Sequence, residues 1–247
     1  GESFGAWRLG QDEELLGLVT SVNVACGWHA GDPVTMARTV CRACERGVAV
    51  GAHPGFPDLQ GFGRRIMGVT PEEAYGFVLY QIGALAAFVR AAGARLVHVK
   101  PHGALYNMAT KDRMLADAIG MAVRDFDPNL VLVALSGSEL LRAGEALGLR
   151  VAAEAFADRG YEPDGSLTPR IRPGAVVENE EEAVARTLRL IKEGVVRSSQ
   201  GVDVAIRAET ICVHGDQPNA AILAWKIRQA LEANGVELCS LAVERAK

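Results

Sequence analysis

The chain of 247 residues predicts an α/β fold whose strands run parallel around a barrel-like interior. Three observations carry that expectation. Apolar β-type runs alternate with helical patterns from end to end, without a linker or low-complexity stretch, which implies a parallel sheet, open or closed. One face of successive strands is small or polar while the other is aliphatic. Four of the five histidines fall at or just after strand C-termini, the edge where parallel α/β folds bind ligands. The length fits one domain over 1–247, because α/β barrels reach roughly 200 to 250 residues as a single unit.

The elements follow in order. Gly1 is not a Met, and the opening GESFG is turn-like, so a strand preceding residue 1 is expected to be missing. Strands are predicted over 21–26, 48–53, 95–100, 130–135, 151–156, 210–214 and 237–243. Helices are predicted between them over 33–46, 71–92, 112–124, 138–147, 180–197 and 218–234. Thr70, Pro71 and Glu73 supply an N-cap, a first-turn proline and the acidic half of a capping box. Asp32 before Pro33 reads similarly. The helix from Pro71 is apolar on most sides, as expected of one buried in the core or in a subunit contact. Two glycine-rich connections, 54–69 and 157–179, far exceed the usual ~4 to 6 residues. The first holds Asp58, Arg64 and Arg65; the second holds Asp158, Arg159, Tyr161 and Arg170.

Composition excludes several classes. With 26 Lys plus Arg against 30 Asp plus Glu, a net charge of -4 and no basic run, the chain lacks the stripe a nucleic-acid binder needs. The apolar stretch 74–89 is broken by Gly76, Gln81 and Gly83 and falls short of the ~20 residues of a membrane span. No secretory signal opens the chain. Five cysteines without framework spacing suit a reducing cytoplasm, and the Cys41/Cys44 pair lies one helical turn apart with no histidine nearby, so zinc or redox use is not expected. A P-loop and a GxSxG elbow are both missing, which argues against those phosphate and serine chemistries.

The histidines decide the reading. His29, His53, His102 and His214 each end a predicted strand or follow one, and each is followed within two residues by glycine. One such histidine is often a structural hydrogen-bonder; four from separate strands point to a shared site. Strand alternation sets Asn23, Ala25, Gly27 and His29 on one face, then Ala49, Gly51 and His53, then His98 with Lys100, then Ala152 with Glu154. Val22, Val24, Val97 and Val99 take the opposite face. Lys100 stands out among only five lysines: ending an apolar strand, it needs a partner such as Glu154, a substrate, or both. Asp32 and Asp216 follow histidines before prolines, where a carboxylate caps a helix or orients an imidazole. A divalent metal on His29 and His53 is conceivable, but no fingerprint fixes it.

Five segments then make the sequence recognisable: NVACGWHAGDP (23–33), GAHPGFPDLQGFGRR (51–65), VHVKPHGALYN (97–107), EAFADRGY (154–161) and VHGDQP (213–218). Together they resemble the LamB/YcsF family, and the resemblance spans nearly the whole chain. It implies an irregular (β/α) barrel of about seven strands, similar to the glycoside hydrolase/deacetylase superfamily. It also implies cleavage of 5-oxo-L-proline to L-glutamate coupled to hydrolysis of ATP to ADP and phosphate, in a 5-oxoprolinase complex with B and C subunits; a homo-oligomer is open. The family begins with a strand ending in Asp-x-Asn-x-Asp-x-Gly-Glu, of which Gly1-Glu2 is the remnant. On this reading ATP is co-substrate, with Mg or a site metal as divalent ion. The lactam oxygen is phosphorylated, and His29, His53 or His102, oriented by Asp32 or Asp216, directs water to the activated carbon. Lys100 stabilises charge, Arg64 or Arg170 holds the substrate carboxylate, and Asn23, Glu154 and His214 line the substrate site. The competing readings are a metal-dependent deacetylase or amidohydrolase without ATP, and a non-catalytic binding subunit.

Overall fold

The computed structural model describes residues 2–5, 7, 12–216 and 219–242. Its strands are β1 Ser21–Ala25, β2 Ala49–His53, β3 His98–Val99, β4 Val131–Leu135, β5 Arg150–Phe156, β6 Val195–Arg197, β7 Asp203–Ala205 and β8 Thr210–Cys212. Six of these pair in parallel in the order β1-β2-β3-β4-β5-β8, a curled half-barrel whose edges, β1 and β8, are not paired with each other. The expected α/β barrel class stands, with six strands in the sheet among the described residues rather than about seven. β6 and β7 form a separate antiparallel hairpin.

The helices are α1 Asp12–Leu15, α2 Pro33–Glu45, α3 Pro71–Ala91, α4 Gly103–Ala109, α5 Arg113–Phe126, α6 Glu139–Ala146, α7 Glu180–Glu193 and α8 Ala220–Ala233. Most starts obey the capping rules read from sequence. Thr70 and Glu73 form the capping box of α3, while Asp32, Asp112, Ser138 and Asn179 cap α2, α5, α6 and α7. α3 is long and apolar enough to cross a membrane by length and composition. Here Ala74, Val78, Ile82, Leu85 and Val89 are buried in the main core, and the helix packs against α5 and β2.

Several sequence expectations need correction. The helix expected over 180–197 stops at Glu193, because Gly194 takes a left-handed conformation (φ 69°) as C-cap and 195–197 continues as β6. No strand forms over 237–242; Val243 lies outside the described residues. Instead Leu241 packs on Val131, Val133 and Ala152, and its carbonyl accepts from Arg150 Nη2 at 2.5 Å, so this segment runs against the sheet's N-terminal end. The last helix begins at Ala220, with Gln217 and Pro218 outside the described residues. The 95–100 strand shrinks to two residues, although Val97 and Lys100 still donate to Val50 and Ala52 carbonyls. Helices α1 and α4 and the β6–β7 hairpin have no counterpart among the predicted elements.

The face assignment holds at the barrel floor. Asn23, Gly51 and His98 align across three strands, with His98 Nε2 2.9 Å from Asn23 Oδ1. Gly51 is required there, since a Cβ would run into the His98 ring. Val24, Val99, Leu132 and Ala153 point the other way into the buried layer shared with the helices.

Candidate functional site

The C-terminal strand ends surround a cavity of about 1050 Å³. Of the sequence-predicted residues, Asn23, His53, Arg64, Lys100, His102, Arg170, His214 and Asp216 line it. His29 and Glu154 sit immediately behind, each in contact with a lining residue. Asp32 does not join them. Its carboxylate accepts from Val34 N, Thr35 N, Thr35 Oγ1 and Gly5 N, so it caps α2 and ties down the N-terminal segment.

Three groupings occupy the cavity. In the first, the rings of His29 and His102 stack at 3.8 Å, and His53 meets His102 edge-on at 4.8 Å. Glu2, unforeseen except as a motif remnant, brings its carboxylate oxygen 3.4 Å from His102 Nδ1. Burial, followed by the neighbouring His102, holds His29 and His53 well below the ordinary histidine range. Burial also lowers His102, against the opposing pull of Glu2. These are neutral imidazoles at pH 7, and four donor atoms converging from Glu2, His29, His53 and His102 could hold a metal ion.

Two glycines of the 54–69 loop have a packing reason. A Cβ on Gly55 would stand 2.6 Å from His29 Nδ1, and one on Gly63 would stand 2.9 Å from both His29 and His102 atoms. Phe62 takes φ 54°, a conformation that is uncommon for a non-glycine residue, and its carbonyl meets His102 Nε2 at 2.8 Å. Gln81 of α3 holds the loop from behind: its side chain accepts from Gly55 N and donates to Gly55 O.

The second grouping is Lys100, Glu154, Tyr106 and Cys212. Lys100 Nζ lies 2.5 Å from Glu154 Oε1 and 3.1 Å from Cys212 Sγ, and Tyr106 donates to Glu154 Oε2 at 2.8 Å. Burial opposes the charge on Lys100, but its contacts with Cys212 and Glu154 outweigh that and keep it protonated. Burial pushes the Cys212 thiol up to about 12, and the ion-pair partner of Lys100 is Glu154. Lys100 is thus ion-paired with Glu154, as one of its two readings expected, and it lines the cavity.

The third grouping is cationic. Arg64 donates to Asp216 Oδ2 at 2.7 Å, and His214 Nδ1 lies 2.8 Å from Asp158 Oδ2, its ring stacked on Phe156 at 5.5 Å. Burial disfavours ionisation of Asp158, but the His214 contact outweighs it and holds the carboxyl below its usual range. Arg159 anchors the 157–179 loop through the Ala175 and Thr168 carbonyls. Burial and then Arg170 lower Arg159 to about 10, while burial and then Arg64 lower Arg170. Three guanidinium groups thus repel one another around two carboxylates, a field that favours an added anion. Glu2, Phe62, Tyr106 and Cys212 complete the site without being singled out for it by the sequence, while Asp158 and Arg159 come from the long loop that the sequence does mark. Tyr106 carries a usable signal, four residues beyond His102 at the start of a helix; Cys212 and Glu2 have none that spacing could show.

A parallel half-barrel carrying a histidine-rich, arginine-rich cavity at its strand C-termini is the class of protein that fold and site define. The chain belongs to the LamB/YcsF family, whose model matches residues 1–246. The A subunit of 5-oxoprolinase from Geobacillus kaustophilus is 62% identical over 238 residues, 96% of this chain and 93% of the relative. That of Bacillus subtilis is 54% identical over 246 residues, 100% of this chain and 96% of the relative. The crystal structure of a lactam utilization protein from Thermus thermophilus superposes with a TM-score of 0.91 at 51% identity, covering 97% of this chain and 96% of that one.

Proposed function

We propose that this chain is the lactam-cleaving component of an ATP-dependent 5-oxoprolinase, converting 5-oxo-L-proline to L-glutamate with hydrolysis of ATP to ADP and phosphate alongside B and C subunits. Its full-length kinship to proteins named as the A subunit of 5-oxoprolinase carries the substrate assignment. The cavity supplies groups for each requirement of that chemistry.

An unstrained lactam is a poor electrophile, so activation must precede attack. The lactam oxygen takes the γ-phosphoryl group of ATP and ADP departs, with Mg2+ arriving on the nucleotide. Water then adds at the activated carbon as a base takes its proton. The carbon–nitrogen bond breaks, nitrogen leaves as the amine, and a second water releases phosphate from the resulting acyl phosphate. We assign the base to His214, which the sequence reading sets among the substrate-binding residues: its Nδ1 is held by Asp158, which leaves its other nitrogen to take the proton. Arg64 and Arg170 receive the substrate carboxylate, and Lys100 faces the developing negative charge. The cavity slightly exceeds the ~300 to 1,000 Å³ typical of ligand sites, which leaves room beside a single-ring lactam for nucleotide or a partner segment.

The Glu2–His29–His53–His102 cluster favours one alternative, a metal-dependent amidohydrolase that needs no ATP. Turnover of 5-oxoproline by the chain with and without companion subunits, with ATP and metals varied independently, separates the two. ATP-dependent glutamate formation requiring the partners is expected. Glutamate formation by the isolated chain without ATP would sink the proposal. In the active complex, Arg170→Ala is expected to raise the KM for 5-oxoproline by roughly 10-fold or more, the loss of one charged hydrogen bond; unchanged KM would remove Arg170 from carboxylate binding.

A further inference from the structure

We propose that Glu2, His29, His53 and His102 form a binding centre for a divalent transition-metal ion such as Zn2+ or Co2+. The placement of ring hydrogens carries this. His53 Nδ1 lies 2.6 Å from the Lys100 carbonyl, and His102 Nε2 lies 2.8 Å from the Phe62 carbonyl. Carbonyl oxygens only accept, so each of those nitrogens carries the hydrogen and donates it. The lone pair of each neutral ring is therefore on the other nitrogen. Those two nitrogens, His53 Nε2 and His102 Nδ1, face each other at 3.0 Å.

Two lone pairs at that separation repel unless an electrophile sits among them. Glu2 Oε1 closes the set from 3.4 Å (His102 Nδ1), 3.7 Å (His53 Nε2) and 3.9 Å (His29 Nε2). A proton shared by His53 and His102 would satisfy only that pair. His29 would remain fully buried with neither ring nitrogen hydrogen-bonded, a costly arrangement for a polar ring. A cation would engage one nitrogen from each of the three rings together with the Glu2 carboxylate.

The donor chemistry selects the ion. Three imidazole nitrogens and one carboxylate suit zinc and its transition-metal neighbours, whereas Mg2+ and Ca2+ select oxygen ligands. Four ligands held at about 2.1 Å in a tetrahedron lie ~3.4 Å apart, and the four atoms here all lie within 4.8 Å of one another. The two carbonyl hydrogen bonds are those that ligating histidines use to fix tautomer and ring orientation. Gly55 and Gly63, whose missing side chains let His29 and His102 stack, keep the rings in place. This centre would be distinct from the Mg2+ that accompanies ATP. It shares the cavity with the proposed lactam site but does not rest on that assignment.

The test uses tag-free full chain, stripped with a chelator and titrated with Co2+ and Zn2+ in the absence of substrate. One ion per chain by elemental analysis is expected, with the intense visible absorption of low-coordinate Co2+. Loss of even an outer partner of a metal ligand weakens binding about 10- to 100-fold, so His53→Ala and Glu2→Gln should each weaken Co2+ binding by at least that factor. Glu2→Gln guards against a folding defect in the histidine variant, and His214→Asn, outside the cluster, should retain one ion. Folded wild-type protein that takes up neither ion stoichiometrically would overturn the centre and leave the shared proton. Equal Co2+ binding by wild type, His53→Ala and Glu2→Gln would overturn it too, placing the metal elsewhere.

Discussion

Asp32 shows how one carboxylate acquires a structural task beside a chemical site. Hydrogen bonds from Thr35 and Gly5 bring its pKa to about 2, below the ordinary 3.8. A depressed carboxyl pKa stabilises the fold fully above the unfolded value, and the contribution is lost as pH falls through the folded one. Asp32→Ala is expected to cost about 1 kcal/mol at pH 7, and the gap from wild type should close as pH falls from roughly 4 to roughly 2. Urea unfolding across that range checks it; a gap independent of pH would show that charge is not involved. Lys100 behaves oppositely, because it is buried with its partner. Lys100→Met leaves Glu154 uncompensated and should destabilise by about 3 to 5 kcal/mol, whereas Lys100→Met with Glu154→Gln should recover much of that. Equal thermal midpoints for wild type and Lys100→Met would refute the pairing. Asp158 is a positioning residue for His214. Asp158→Asn should lower kcat of the assembled enzyme by about 100-fold or more with little change in KM, the scale of general-base catalysis. A rise in KM alone would instead place Asp158 in substrate binding.

At the scale of elements, the site depends on how two long loops are held. Gln81 projects from the middle of α3 and satisfies both backbone groups of Gly55 while donating also to Phe77 O. Gln81→Leu keeps the shape but strands a buried N–H and a buried carbonyl, each worth about 1 to 3 kcal/mol. A lowered unfolding midpoint together with reduced Co2+ binding is the expected result; a midpoint equal to wild type would mean the loop is held by other contacts. Much of this level is legible in the sequence. The capping box, the Asp32 and Ser138 caps and the strand ends follow from local rules that need no neighbours. The end of α7 is not, because apolar residues continue through Val195 and Val196, and only the left-handed Gly194 stops the helix. The short β3 escapes because Lys100 extends the ladder by hydrogen bonds without strand geometry beyond it.

For the whole molecule, curling six parallel strands brings Lys100 and Cys212, separated by 112 residues along the chain, into contact. Among the described residues the edge strands β1 and β8 are not paired with each other, and Leu16, Val22 and Val213 line the cavity near that seam.

The sequence by itself determined the α/β class, the strand-end location of the cavity and many of the residues that line it, because alternation, caps and His-Gly pairs are written within a few neighbouring residues. Tertiary structure decided which role each member takes. Asp32 became a cap, Lys100 the partner of Glu154, Asp158 the support of His214, and Glu2 the fourth member of the histidine cluster. Those roles depend on distances across the sheet and on which lone pairs meet in a buried space, and neither is encoded in spacing along the chain.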